Sequence, residues 1–252
     1  MSYFWSGVGG VPGDYAYGKM HLISVIVLIV VVVLLCYVGS RLSTENRRKV
    51  LVVLATSAFA LEVFWRGNWI GRGIPMAELW PLYPCHFAAA IVPLIALLNN
   101  KILKDLFYVF AFLGAIATFV HPQTVFINRV LSFDILTNIL QHMFIIIIPA
   151  FEFFTRQYKP QFKKVWLAIL AMFIHLFNGE VISRLLGRDG DFAFLRSGMP
   201  FVIPGVPQVI ILGLTVAIVL IAVYALLDPK GCKALLHRKS TGDNTKKRKQ
   251  VK

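Results

Sequence analysis

Long apolar runs separated by short polar connections dominate this chain. Seven runs stand out, over residues 21–39, 49–65, 83–98, 103–120, 134–155, 165–183 and 206–227. A helix needs about 20 apolar residues to cross a hydrocarbon core of about 30 Å, and most of these runs approach that length. The third is short, and its entry Trp80-Pro81-Leu82-Tyr83-Pro84 predicts a helix that starts below the interface. The pattern therefore predicts an all-α fold: a polytopic membrane helix bundle of about seven transmembrane helices over residues 1–229. Residues 230–252 are polar and lack apolar periodicity, so they read as a separate disordered tail.

Composition agrees with a membrane protein. The chain has 252 residues, 58% of them hydrophobic, and a mean hydropathy of +0.71, beyond what soluble domains carry. The net charge is +14, and nine of the 26 Lys and Arg fall in the tail. So basic a tail invites a nucleic-acid reading, but a cytoplasmic tail lying near anionic lipid is favoured, and no nucleic-acid partner is expected. Cys36, Cys85 and Cys232 show neither a pairing pattern nor metal-ligand spacing, so no disulfide, metal or cofactor is expected. The first nineteen residues lack a basic start, so no cleavable signal is expected. No internal repeat is visible. Of the Lys and Arg, nineteen sit in one set of connections and seven in the other. The positive-inside rule then predicts an N-terminus outside and a cytoplasmic C-terminus.

Polar residues inside the runs fall into one layer. At about 1.5 Å per residue, Cys85 lies about 9 Å and His142 about 12 Å below the outer face. Glu62, Thr118 and Asn178 fall at about 9–10 Å. His121, Asn138 and Glu180 come slightly higher, and His175 near the middle. The cytoplasmic halves read as nearly pure Val, Ile, Leu, Ala and Phe. Ionisable groups in hydrocarbon cost at least about 2.5–3.5 kcal/mol each, so a layer of them points to an interior cavity with a function. Mutual pairing is the plainer reading, and it is strongest for Glu62 and Arg66, one helical turn apart.

Two members of the layer are reactive in type. Pro84 suits the first turn of a helix, which puts Cys85 at a helix N-terminus. There the dipole and free N–H groups favour a thiolate and can hold an oxyanion. A thiol in an apolar site is inert without a base, and His142 is the best placed. His86 adjoins Cys85 but points about 100° away. His121 is a possible orienter or substitute base, and Asn138, one turn before His142, is placed to fix its ring. An apolar filler role for Cys85 is the bland alternative.

At these segments the chain resembles the transmembrane protein 164 family of membrane acyltransferases, with which bacterial YwaF-type proteins are grouped. Tyr83-Pro84-Cys85-His86 resembles the family's Pro-Cys-His element, and Leu140-Gln141-His142-Met143 its Gln-His element. Weaker echoes are Glu62-Val63 and Asn128-Arg129 with Phe133. The resemblance covers roughly residues 51–154. It implies a cysteine acyltransferase in which Cys85 is the acylated nucleophile and His142 the acid/base. His121 and His175 lie outside those motifs.

The expected activity is transfer of an acyl chain from a phospholipid donor to a lysolipid or other lipid-linked acceptor through a thioester. His86, Glu62, Thr118, His121, Asn138, Gln141, His175 and Asn178 are expected to support the site or bind substrate. The expected location is a bacterial plasma membrane, with the site toward the outer leaflet. A proton-coupled transporter using Glu62, His142, His175 and Glu180 is the alternative. A seven-helix binding protein is a third reading, without a ligand motif.

Overall fold

The computed structural model describes residues 2–6, 10–11, 13–122, 125–196 and 202–235. After a short α1 (Ser2–Ser6) come α2 (Lys19–Arg41), α3 (Thr44–Gly71), α4 (Pro84–Leu98), α5 (Lys101–Val120), α6 (Phe133–Phe154), α7 (Val165–Phe177), α8 (Ser183–Leu185) and α9 (Gln208–Leu227). A π-helical turn, Asn178–Ile182, joins α7 to α8, so Phe162–Leu185 forms one 24-residue span. Each apolar run becomes a helix. Six are long and apolar enough to cross a membrane. The exception is α4, whose 15 residues span only about 22 Å.

Local chemistry sets these boundaries. Ser43 caps α3 by accepting from the Asn46 N–H, and Ser132 caps α6 through Ile135. Asn99 ends α4 in the left-handed region (φ 51°), and Asn100 caps α5 by accepting from Ile102 and Leu103. Two adjacent asparagines thus make the α4–α5 turn. Helix α3 runs six residues past the expected end at 65, because its extra turn is held by Asp134, which accepts from the Trp65 and Trp69 indoles and pairs with Arg72.

Helix α6 is the centre of the bundle and packs against α2, α3, α4 and α5. In its apolar window 72% of residues are buried, against 17% in α2 and in α9, which present Ile, Val and Leu outward at the periphery. That burial and exposure suit a bundle whose outer surface meets lipid.

Cross-helix contacts separate two ends. One holds the ends of α3, α5 and α7–α8 and the starts of α2, α4 and α6. The other holds the basic connections: Arg47 reaches the Gly39 and Thr155 carbonyls, and Arg48 those of Ala96 and Leu97.

This basic end corrects one sequence expectation, for it is not purely apolar. Lys104 and Glu152 form a buried ion pair at 2.6 Å, with side chains 3% and 1% exposed. Beside it Asp105 accepts from Tyr158 and pairs with Lys164, while its carbonyl accepts from Tyr224. In sequence Lys104 counts among the charges of a connection. Packing α5 on α6 and α7 brings these charges inside.

The expected tail differs as well. Residues 229–235 are helical, because the Asp228 carboxylate accepts from the Gly231 N–H and its carbonyl from Cys232. Residues 236–252 lie outside the described residues.

Candidate functional site

Helix α4 begins with Pro84 at its first turn, and the preceding Tyr83 provides no side-chain cap. The first-turn amides are therefore open. Those of Cys85 and His86 have no carbonyl partner among the described residues, and the Cys85 residue itself is partly exposed. The sulfur also lies within electrostatic range of Glu62.

His142 is buried in α6, at 2% exposure. Its Nδ1 lies 2.8 Å from the carbonyl oxygen of Asn138. A carbonyl can only accept, so Nδ1 carries the proton and Nε2 is the basic nitrogen. Nε2 is buried and has no protein partner among the described residues. The expected orienter is thus Asn138, acting through its backbone while its side-chain oxygen stays unpaired. No hydrogen bond joins Cys85 to His142 among the described residues. His142 is within electrostatic range of His86, and its ring meets Phe119 edge-on at 6.4 Å.

Glu62 and Gln141 join α3 to α6. Gln141 Nε2 donates to one Glu62 oxygen and Arg66 to the other. The residue before His142 is therefore tied to the acid near Cys85. Asn178, in the π-helical turn, accepts from the Trp80 indole at 2.8 Å and donates to the Pro81 carbonyl at 2.7 Å. It clamps the segment that leads into Cys85. The next residue, Gly179, must be small: a Cβ there would lie 3.0 Å from that of Ala193.

The remaining expected residues scatter. The Thr118 hydroxyl donates back to the Gly114 carbonyl of its own helix. His121 is exposed at the end of α5, so the structure does not bring it to His142 as an orienter. His175 is buried against Phe110 and the Phe192 backbone. Glu180 pairs with Arg184 on its own helix. Among the described residues no group of three or more His, Cys, Asp or Glu is arranged to hold a metal ion.

Sequence reading missed the partners that surround His86. His86 packs against Trp65 at 5.2 Å and Tyr83 at 5.7 Å, and Tyr83 meets Phe192 at 5.0 Å. Arg188 lies over Phe192 and pairs with Glu78. The one available signal was Trp65 and Trp69, a turn apart near a span end where aromatics gather. Phe192 and Arg188, in a loop, carry no pattern.

Fold and site together define a multi-pass integral membrane protein with a cysteine, histidines and a carboxylate gathered at one end of its bundle. The chain belongs to the TMEM164 family, whose model matches residues 16–227. No curated protein and no solved structure matches it.

Proposed function

We infer that this protein is a membrane acyltransferase that carries a fatty acyl chain from a phospholipid to a lysolipid or other lipid-linked acceptor as a thioester on Cys85. The observation that carries this reading is the buried, unpartnered Nε2 of His142, fixed as a base by Asn138 and facing no protein donor. The open amides of the first turn of α4 are the second support.

In the first half-reaction His142 Nε2 takes the Cys85 proton. The thiolate attacks an ester carbonyl, and the oxyanion is held by the amides of the first turn of α4. The carbon–oxygen bond breaks, His142 returns the proton to the leaving glycerol oxygen, and a lysolipid departs. In the second half, an acceptor hydroxyl or amine gives its proton to His142 and attacks the thioester. The carbon–sulfur bond breaks and Cys85 regains its proton. Nucleophile and base are commonly apart in empty sites and close when substrate binds. The excess of Lys and Arg at the opposite end supports a site toward the extracytoplasmic leaflet, away from soluble cytoplasmic acyl donors.

Acyl transfer between labelled lipids by the purified protein tests this. His142→Gln and Cys85→Ala should each lower transfer at least about a hundredfold, as loss of a general base or nucleophile does. A Cys85→Ala protein with full activity would refute the assignment.

Proton-coupled transport gains one observation, the buried Lys104–Glu152 pair at the far end. Between the two polar ends, however, α6 offers only Met143–Phe151, all apolar. Proton flux in proteoliposomes that survives Cys85→Ala but not Glu152→Gln would favour transport.

A further inference from the structure

A cavity of about 440 Å³ lies at the basic end, opposite Cys85. The α6–α7 connection lines it with Lys159, Gln161 and Lys163. The end of α9 and the helical residues after it add Asp228, Gly231, Ala234 and Leu235. Its volume falls within the range of about 300–1,000 Å³ for sites that take small ligands.

The charge of the lining is unbalanced. Asp228 is its single acid among the described residues, and both carboxylate oxygens already accept amide protons, from Phe162 at 3.1 Å and from Gly231 at 3.2 Å. Lys159 stands 4.0 Å from Asp228 with its side chain 72% exposed, and so open an ion pair is weak. Lys163 is exposed and has no ion-pair partner among the described residues. Two ammonium groups therefore line a cavity whose carboxylate is committed to shaping it.

The surroundings favour a lipid anion over a soluble one. Ala234 and Leu235 make part of the lining apolar. Leu226 and Leu227 are exposed at the end of α9, and so is Trp166, three residues beyond Lys163. An exposed Trp beside Lys at a span end marks the level where headgroups meet hydrocarbon. Lys230 and Lys233 lie on the segment that lines the cavity, and seven more Lys and Arg follow in residues 236–252. Basic pockets between spans at such an end hold anionic headgroups.

We propose that this cavity binds the headgroup of an anionic glycerophospholipid, its phosphate taken by Lys159 and Lys163 and its acyl chains lying along α9. The lipid is a fastener and not a substrate, since Cys85 is at the other end of the bundle. Helix α9 packs chiefly on α7 and the turn Phe162–Lys164, and only 17% of its apolar window is buried. A headgroup held jointly by the α6–α7 connection and residues 231–235 ties this peripheral helix to its neighbours. This binding is independent of acyl transfer at Cys85.

The experiment uses the full chain in maltoside micelles with phosphatidylglycerol or phosphatidylcholine of the same acyl chains. Native mass spectrometry gives the Kd of the first lipid bound, and the unfolding temperature is read in parallel. Wild type should bind phosphatidylglycerol more tightly and unfold at a higher temperature with it. Each Lys near an anionic surface is worth about fivefold in binding, so Lys159→Gln with Lys163→Gln should raise that Kd at least about tenfold and abolish the rise in unfolding temperature. Arg at both positions should keep the Kd within about threefold of wild type, since the charge is retained. Lys246→Gln, Lys247→Gln and Lys249→Gln together should shift it less than about twofold if the cavity, rather than the general charge of the tail, holds the lipid. Equal binding of both lipids by wild type, an unchanged Kd in the double Gln variant, or an equal loss in the tail variant would overturn the proposal. Inorganic phosphate that displaces phosphatidylglycerol and raises the unfolding temperature as much would assign the cavity to a free oxyanion, against the lipid.

Discussion

His142 has two nitrogens with different tasks. Nδ1 is spent on the carbonyl of its own helix, which leaves a defined lone pair on Nε2 in a buried position. Gln141, its neighbour, is spent on Glu62. Changing Gln141→Leu removes the donor to one buried carboxylate oxygen, and that should cost about 1–3 kcal/mol of stability, read as a lower unfolding temperature in micelles. Unchanged stability would mean that the oxygen finds another donor. That Cys85 and His142 lie at one end of the bundle was legible in the sequence, because each sits at a countable distance from a span end. The orienting group was legible only as a residue: Asn138 acts through its carbonyl, and backbone atoms leave no trace in side-chain identity. Thr118 and His121 were placed by depth alone. Depth says nothing about which way a side chain points, and Thr118 turns back on its own helix.

At the scale of elements, the short α4 is what brings Cys85 inside, and both its ends are held from outside the helix. Asn178 clamps the approach, and Arg48 caps the last carbonyls. Asn178→Ala frees the Trp80 indole and the Pro81 carbonyl. It should slow alkylation of Cys85 by maleimide several-fold while the helical circular dichroism stays intact; an unaltered rate would remove Asn178 from the site. The α5–α6 pair carries the larger electrostatic stake. Lys104→Met leaves Glu152 as an uncompensated buried charge and should destabilise by about 3–5 kcal/mol, whereas Lys104→Met with Glu152→Leu should recover much of that. If the double variant is no better than the single, the pair is not what couples the helices. These charges escaped sequence reading because a Lys-Asp step at a helix start resembles an ordinary interface, and only packing reveals that it is inside. At the end of α9, N–H donation from Phe162, reinforced by Gly231, holds the Asp228 carboxyl below the usual carboxylate range. A carboxyl lowered in the folded state stabilises above its unfolded pKa of about 3.9, and that contribution is lost as pH falls through the folded value. Asp228→Asn should therefore flatten the acid side of the stability profile. A profile identical to wild type would show that these N–H bonds persist in the unfolded chain or add nothing.

For the whole molecule the seven-helix order was read directly from the apolar runs, because hydrocarbon leaves a backbone few ways to satisfy itself. The orientation we propose rests on charge rather than on shape. In a background without native cysteines, Asp189→Cys should react with an impermeant maleimide on intact cells, and Glu45→Cys only after permeabilisation; both positions are exposed. The reverse pattern would place the site in the cytoplasmic leaflet. The decisive measurement is intact-mass spectrometry of the protein after incubation with acyl-labelled phospholipid and no acceptor. A single hydroxylamine-sensitive acyl adduct on Cys85, absent from Cys85→Ala and greatly slowed in His142→Gln, is the predicted result. An adduct that persists in Cys85→Ala, or turnover with no adduct at any time, would contradict the thioester account.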